Sequence, residues 1–275
     1  MTELTRNESL EPMWEQLRAD GCINGRQVLI HKCLDSTNTT ALNLAAAGIP
    51  AGTVVAADSQ SAGRGRLGRK WQSPPGLGLY FSIITRPRLS LNDLTKITLT
   101  AGLALRTAIL AVSALETELK WPNDILWQGR KMAGILTECE AQSAKGRATI
   151  IGIGLNINSE PDNFPSETGR RMVSLRTATN RSYDRGLILT AVTEAVEREV
   201  KRLENGDFAA ILRDWRRWDA SSGKQLTWLK PDGMPVCGMS LGPDEDGVLR
   251  IKDSTGLIHQ VISGDLRLQD EGKKY

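Results

Sequence analysis

The sequence predicts an α+β protein: a larger mixed part in which strands and helices follow one another without regular βαβ alternation, then a small β-barrel-like module. Two observations predict it. Before residue 221, short β-branched runs are interspersed with two long segments of helical apolar spacing. After Ser221–Gly223 the texture changes to short strands separated by turn sequences. The boundary therefore falls at 221, giving a domain 1–221, of which 1–25 is a polar extension, and a small domain 222–275. A chain of 275 residues is long enough for both.

Taken in order, residues 1–25 read as a short helix and a loop. Segment 38–47, NTTALNLAAA, reads as a helix with Ser36 or Thr37 as cap and Gly48 as stop. GTVVAAD (52–58) and GLYFSIITR (78–86) read as strands. Segment 91–113 is a long apolar helix, with Ser90 and Asp93 at capping-box spacing near its start. Strand-like pieces follow near 117–121, 124–128, 131–141 and 147–157. The polar stretch 159–183, with Pro161, Pro165 and Gly169, reads mostly as loop. In 184–205, Leu187, Leu189, Val192, Val196, Val200 and Leu203 recur at helical spacing, with Ser182 as cap and Asn205–Gly206 as stop. Asp207 is placed to cap one more helix, through Trp218. The closing strands are 224–230, 234–241, 247–252 and 257–263, divided by PDG, GPDEDG and DSTG turns.

Composition narrows the class. With 40% hydrophobic and 24% charged residues the chain is ordinary globular, and a net charge of +3 is too small to argue for a nucleic-acid binder. Cys22, Cys33, Cys139 and Cys237 form no CxxC pair and have only two histidines to help them, so they read as reduced, mostly buried thiols rather than a zinc site or disulfide framework. The N-terminus lacks the apolar region of a signal peptide, and no run approaches the ~20 apolar residues of a membrane span. The protein is expected to be cytoplasmic.

The positive charge is local. Residues 61–73, SAGRGRLGRKWQS, alternate Gly63, Gly65 and Gly68 with Arg64, Arg66, Arg69 and Lys70, and Trp71 follows. A dinucleotide fingerprint would need a helix to open at the last glycine, but Pro74, Pro75 and a strand come next. A nucleic-acid contact would use the charges on phosphates and Trp71 on a base. An anion-binding loop for a small phosphorylated ligand would use the glycines for backbone approach and the arginines as forked donors. Four cations within seven residues repel one another unless an anion arrives, which a merely solvated loop does not need.

Other polar anomalies accompany the loop. KWPND (120–124) sets a lysine, an amide and a carboxylate at a bend forced by Pro122, where a plain turn is the simple reading. In KMAGILTE (131–138), alternation places Lys131 with Ala133, Ile135 and Thr137 on one face, and Met132, Gly134 and Leu136 on the other. Lys131 is then either a snorkelling edge residue or a cation aimed at a buried anion. In GIGLNIN (152–158), glycines mark either a bulged strand end or close approach by a ligand, and Asn156 and Asn158 share a face. STN (36–38) is a helix cap whose hydroxyls could equally bind a polar ligand.

In this order, STN, Gln60, GRGRLGRKW, KWPND, KMAGILTE and GIGLNIN, followed by the small C-terminal module, resemble the biotin protein ligases over about residues 25–270. The resemblance implies a mixed-sheet catalytic domain of the biotin/lipoate ligase type with an SH3-like C-terminal barrel. It implies that biotin attacks the α-phosphate of MgATP to give biotinyl-5′-AMP, and that a lysine of a biotin carboxyl carrier domain, of acetyl-CoA carboxylase or another biotin-dependent carboxylase, then accepts the biotin. On this resemblance Arg66, Lys120 and Lys131 are catalytic. Ser36, Thr37, Asn38, Gln60, Gly63, Arg64, Arg66, Lys131, Gly134 and Gly152 bind biotin. Arg66, Arg69, Lys70, Trp71, Asn123, Lys131 and Asn156 bind ATP or the adenylate, and Asp124 lies in the Mg2+ region. Polar groups suit a ureido ring, whereas lipoate or octanoate, the substrates of ligases sharing the fold, are mainly apolar. No side-chain nucleophile is needed, because the substrate carboxylate is one.

Some relatives carry an N-terminal helix-turn-helix domain and repress transcription. Residues 1–25 are too few for such a domain and supply no basic reading helix, so neither nucleic acid nor membrane is an expected partner. Relatives are often dimers, so a homodimer is compatible with the resemblance.

Overall fold

The β-branched runs assemble into one eight-stranded sheet whose central strands are buried almost continuously on both faces. The computed structural model describes residues 11–90, 93–139, 147–230, 233–261 and 265–268. The expected helix start at 91–92, the strand tails at 140–141 and 262–263, Pro231 and Asp232 of the PDG turn, and residues 1–10 lie outside the described residues. In chain order the elements are α1 (Pro12–Asp20), β1 (Cys22–Ile23), β2 (Arg26–Leu34), α2 (Thr37–Ala46), β3 (Val54–Gln60), β4 (Gly78–Thr85), α3 (Leu94–Ser113), β5 (Glu118–Lys120), β6 (Asp124–Trp127), β7 (Arg130–Cys139) and β8 (Thr149–Asn156). There follow α4 (Ser166–Arg171), α5 (Leu175–Thr179), α6 (Arg185–Glu204), α7 (Phe208–Arg216), β9 (Gln225–Leu229), β10 (Pro235–Pro243), β11 (Leu249–Asp253), β12 (Ile258–Val261) and β13 (Asp265–Leu268).

The large sheet has the order β1-β2-β3-β4-β8-β7-β6-β5. β2 and β3 are parallel, and the other described pairs are antiparallel. Side chains alternate across it. On β8, Ile151, Ile153 and Leu155 enter the main core with α3 and α6, while Ile150 packs with Ala41 and Ala45 of α2 on the opposite face. That second face also carries Gly152, Gly154 and Asn156, and the absence of side chains at the two glycines leaves it hollow beyond α2. α3 is long and apolar enough to cross a membrane, contrary to the sequence reading, but most of it is buried in the core.

Several expectations are corrected. β2 was not anticipated, because His31 and Lys32 interrupt its apolar run and it is only half-buried near the sheet margin. The stretch 159–183 is not mostly loop: it contains α4 and α5, the latter opened by Ser174, whose side chain accepts from Thr177 N–H at 3.1 Å. Asp184, not Ser182, caps α6, accepting from Gly186 N–H at 2.7 Å. The same carboxylate accepts from Met13 N–H at 2.7 Å and Trp14 N–H at 3.2 Å, so it holds α1 and α6 together. Three of the four cysteines are exposed and Cys139 is half-buried, so they are not core thiols; all four are free.

The C-terminal part is an antiparallel sheet of five strands, one more than expected, in the order β12-β11-β10-β9-β13. Contacts among the described residues fasten it to the β5 end of the large sheet: Trp121, just after β5, donates its indole N–H to the Gly247 carbonyl at 2.8 Å, and Lys120 of β5 reaches the Leu266 carbonyl of β13. Leu119 of β5 also bridges Asp219, in the segment that leads into β9.

Candidate functional site

The hollow face of the large sheet is a cleft floored by glycines. Gly134 of β7 pairs with Gly154 of β8, and Gly152 pairs with Leu136 on one side and Ser82 on the other. The Trp71 indole lies over this floor. A Cβ built on Gly154 would stand 2.6 Å from Trp71 Nε1, and one on Gly134 would stand 3.1 Å from Trp71 Cζ3. Neither position tolerates a side chain without moving the indole. Trp71 Nε1 is buried against this floor with no hydrogen-bond partner among the described residues.

One end of the cleft is polar. The start of α2 brings Ser36, Thr37 and Asn38 to it, all nearly fully buried. Gln60 at the end of β3 accepts from Thr37 N–H at 2.9 Å and donates to Ser73 Oγ at 2.9 Å. Ser82 Oγ lies 2.6 Å from Asn38 Oδ1 and 2.9 Å from Thr37 Oγ1. The Asn38 amide occupies the space above Gly152 that a Cβ would fill. Ser36 precedes α2 but makes no side-chain cap bond.

The other end is cationic. Lys131 Nζ stands 2.7 Å from Asp124 Oδ1 and 5.3 Å from the centre of the Trp71 ring. Strict alternation would have turned Lys131 away from Gly134. A bulge intervenes: Ile125 pairs with Ala133 but Leu126 pairs with Lys131, so Met132 is the extra residue. Met132 and Ala133 both enter the core, and the Lys131 side chain emerges on the glycine face. The expected grouping of Lys131 with Ala133 and Ile135 is therefore corrected.

Arg66 Nη1 donates to Asn123 Oδ1 at 3.5 Å, and Asn123 in turn donates to the Ile135 carbonyl at 2.9 Å. Burial pushes the Arg66 pKa down, with Asp124 opposing and Arg69 adding to the shift. This half-desolvated guanidinium therefore gains from an arriving anion. Lys120 Nζ donates to the Leu266 carbonyl of β13 at 3.3 Å.

Most residues singled out from the sequence line this one cleft, including Ser36, Thr37, Asn38, Gln60, Arg64, Arg66, Arg69, Lys70, Trp71, Lys120, Asn123, Asp124, Lys131, Gly134 and Gly152. Two do not. Gly63 is at the loop root, where it lets the backbone close on the Trp71 carbonyl. Asn156 is buried behind Lys131, donating to the Lys131 carbonyl at 3.4 Å and the Val173 carbonyl at 3.3 Å. Asn158 leaves Asn156's company to bond the Tyr183 backbone. Leu266, Gly154 and Leu136 were missed as lining residues. Gly154 was legible in principle, two residues from Gly152 on the same face. Leu266 had no signal, since its contact crosses between distant parts of the chain.

A mixed sheet with a glycine floor, a cationic glycine-rich loop and, among the described lining residues, neither histidine nor cysteine defines a class: proteins that hold a ligand polar at one end and anionic at the other, without a serine–histidine or cysteine–histidine nucleophile. Residues 30–158 match the model of the biotin/lipoate A/B protein ligase family. The chain is 35% identical over 246 residues to the bifunctional ligase/repressor BirA of Bacillus subtilis (strain 168), covering 90% of this chain and 75% of that protein. It is 33% identical to the biotin–[acetyl-CoA-carboxylase] ligase of Paracoccus denitrificans, covering 83% of this chain and 94% of that one. The structure resembles a biotin protein ligase from Aquifex aeolicus in complex with biotin and ATP, with a TM-score of 0.77, 30% identity, and coverage of 88% and 98% of the two chains. The chain belongs to the biotin/lipoate A/B protein ligase family, and within it to the biotin protein ligases.

Proposed function

We propose that this protein joins biotin to ATP as biotinyl-5′-AMP and then transfers the biotinyl group to a lysine of a biotin carboxyl carrier domain, of acetyl-CoA carboxylase or another biotin-dependent carboxylase. The observation that carries this reading is the convergence of Arg66 and Lys131 on one end of a glycine-floored cleft whose other end is the polar set Thr37, Asn38 and Gln60. A ureido ring with two N–H groups and a carbonyl suits the polar end. Its carboxylate, at the end of an apolar chain, then reaches the cations.

A carboxylate and a phosphate repel, so cations are needed to bring them together. A carboxylate oxygen of biotin attacks the α-phosphorus, the bond to the bridging oxygen breaks, and pyrophosphate leaves. Lys131 and Arg66 offset the charge on the carboxylate and the α-phosphate. Arg69, Lys70 and Asn123 line the nucleotide end, Trp71 offers an aromatic face to the adenine, and Asn156 supports Lys131 from behind rather than touching nucleotide. In the second step the carrier amine attacks the acyl carbon, AMP leaves with the bonding pair, and the amine proton passes to solvent. Lys120 is placed to stabilise the departing phosphate.

Asp124 is, among the described residues, the one carboxylate lining the cleft, and no group of three metal-ligating side chains occurs among them. That fits Mg2+, which takes one or two carboxylates and draws its other ligands from phosphates and water. When bound it would offset phosphate charge, with Asp124 holding it alongside ATP.

The C-terminal sheet is read as an SH3-like barrel and residues 222–275 as a second domain, supported by the change of texture at Ser221 and by the five-strand sheet that follows. The reading places the protein in the cytoplasm, without nucleic-acid or membrane partners, and allows a homodimer. Biotin-dependent exchange of pyrophosphate into ATP, with lipoate and octanoate in parallel, tests it. Exchange with biotin alone is expected; exchange only with a fatty acid would place the protein on another branch of the fold.

A further inference from the structure

Glu138 lies near the end of β7, on the same face as Gly134 and Leu136, and does not line the cleft. Its carboxylate nevertheless touches the site twice. Oε1 accepts from Arg64 Nη2 of the glycine-arginine loop at 2.6 Å. Oε2 accepts from Asn38 Nδ2 at 2.8 Å. Asn38 also donates to the Leu136 carbonyl at 3.1 Å, so its amide is set with nitrogen towards β7 and oxygen towards Ser82.

The chemistry of these contacts requires a carboxylate. Both partners are donors, and only an acidic side chain accepts on both of its outer atoms. A glutamine would turn its NH2 towards one of the two donors. The Arg64 contact is charge-assisted, the stronger kind. The far end of the loop is held by the same polar chain, through Gln60 to Ser73, whose hydroxyl lies 3.4 Å from the Trp71 carbonyl. Arg64 and Lys70 pair with each other as an isolated bridge within the loop.

We propose that Glu138 is a positioning residue that couples the polar end of the cleft to closure of the 61–73 loop, fixing Asn38 with one oxygen and latching Arg64 with the other. This rests on the adenylate-forming reading above. The consequence falls on retention of the intermediate. With the latch intact the loop stays over the acyl phosphate; without it the loop opens and the adenylate escapes.

The test uses the full chain as wild type, Glu138→Gln, Arg64→Gln and the double variant. Wild-type exchange of pyrophosphate with biotin is read first, so that failure of the functional reading is distinguished from failure of the latch. Release of biotinyl-5′-AMP is then followed by rapid mixing, alongside KM for biotin and the rate of adenylate formation at saturation. Glu138→Gln is expected to speed release and raise KM by about tenfold while changing the saturated rate by less than about threefold. In the Arg64→Gln background the effect of Glu138→Gln on release is expected to shrink below about twofold, because the partner is already gone. Wild-type release and KM in a folded Glu138→Gln protein would overturn the proposal. So would an undiminished effect in the Arg64→Gln background, or a loss of saturated rate and thermal stability with release unchanged. If Glu138→Gln does not fold, Glu138→Asp, which keeps two acceptors on a shorter stem, is read against the same criteria.

Discussion

Lys131 Nζ meets Asp124 Oδ1 at 2.7 Å on a face of the sheet that strict alternation would have denied to it. The bulge at Met132 is what brings the lysine over Gly134, and with it the cation that a carboxylate and a phosphate both require. Since the Lys131 side chain is 37% exposed and packs in no core, its removal tests chemistry with little disturbance of the fold.

Lys131→Ala should therefore fold and bind ATP weakly, with adenylate formation reduced by about 10²–10³-fold or more, the scale for a lost charge stabiliser at a developing oxyanion. Circular dichroism and exchange of pyrophosphate measure the two halves. Wild-type exchange rates in the folded variant would remove Lys131 from the mechanism.

Gly154→Ala should be selectively harmful. The added methyl displaces the Trp71 indole, whose Nε1 would otherwise stand 2.6 Å from it, while the strand can accept an alanine at this position. A misplacement of this size is expected to lower kcat/KM by about 100-fold with Tm little changed. Unaltered kinetics would mean that the indole does not need the glycine floor.

The N-terminal extension is a structural part of the protein. Arg185, 4% exposed in its side chain, donates to both Glu11 oxygens at 2.6 Å and to Asp58 at 2.9 Å, and stacks 4.3 Å from the Trp14 ring. Arg185→Met would leave two carboxylates facing one another and is expected to cost about 3–5 kcal/mol in urea unfolding. A loss under about 1 kcal/mol would mean that water replaces the guanidinium without penalty.

Stability should also depend on pH through Asp219, at the junction of the two sheets. Burial raises its pKa, opposed by hydrogen bonds from Ser221 and by Lys224 and Arg216, and its Oδ2 has no partner among the described residues. A raised carboxyl pKa means that the folded form holds its proton more tightly than the unfolded chain. The contribution is fully present below about pH 4, the ordinary carboxylate value, and is lost as pH rises through the folded pKa. Asp219→Asn, which keeps an acceptor for Ser221, is expected to raise Tm relative to wild type at pH 7 and to lose that advantage near pH 4. An equal difference at both pH values would dismiss the carboxylate as its source.

The residues of the site were legible in the chain because the chemistry is written in residue types. A loop with three glycines and four cations, a lysine entering an apolar strand, and glycines where β-branched residues are expected all depart from what packing alone would select. The long helices were legible as well, since their period is local. The helices of 159–183 were not, because they are short and their prolines and polar residues resemble a loop; docking against the core, with Leu175 and Val173 fully buried, stabilises them.

By itself, then, the sequence determined which groups the protein brings to its chemistry, their order along the chain and the class of fold that carries them. The tertiary structure decided which of those groups face one another. It turned Lys131 into the cleft through a register shift between two strands, withdrew Asn156 behind it, and brought Glu138 and Leu266 to residues far away in the chain. The physical reason is that side-chain type acts locally, whereas a bulge and a cross-chain contact belong to pairs of segments, and only the folded pair fixes the face on which a residue emerges.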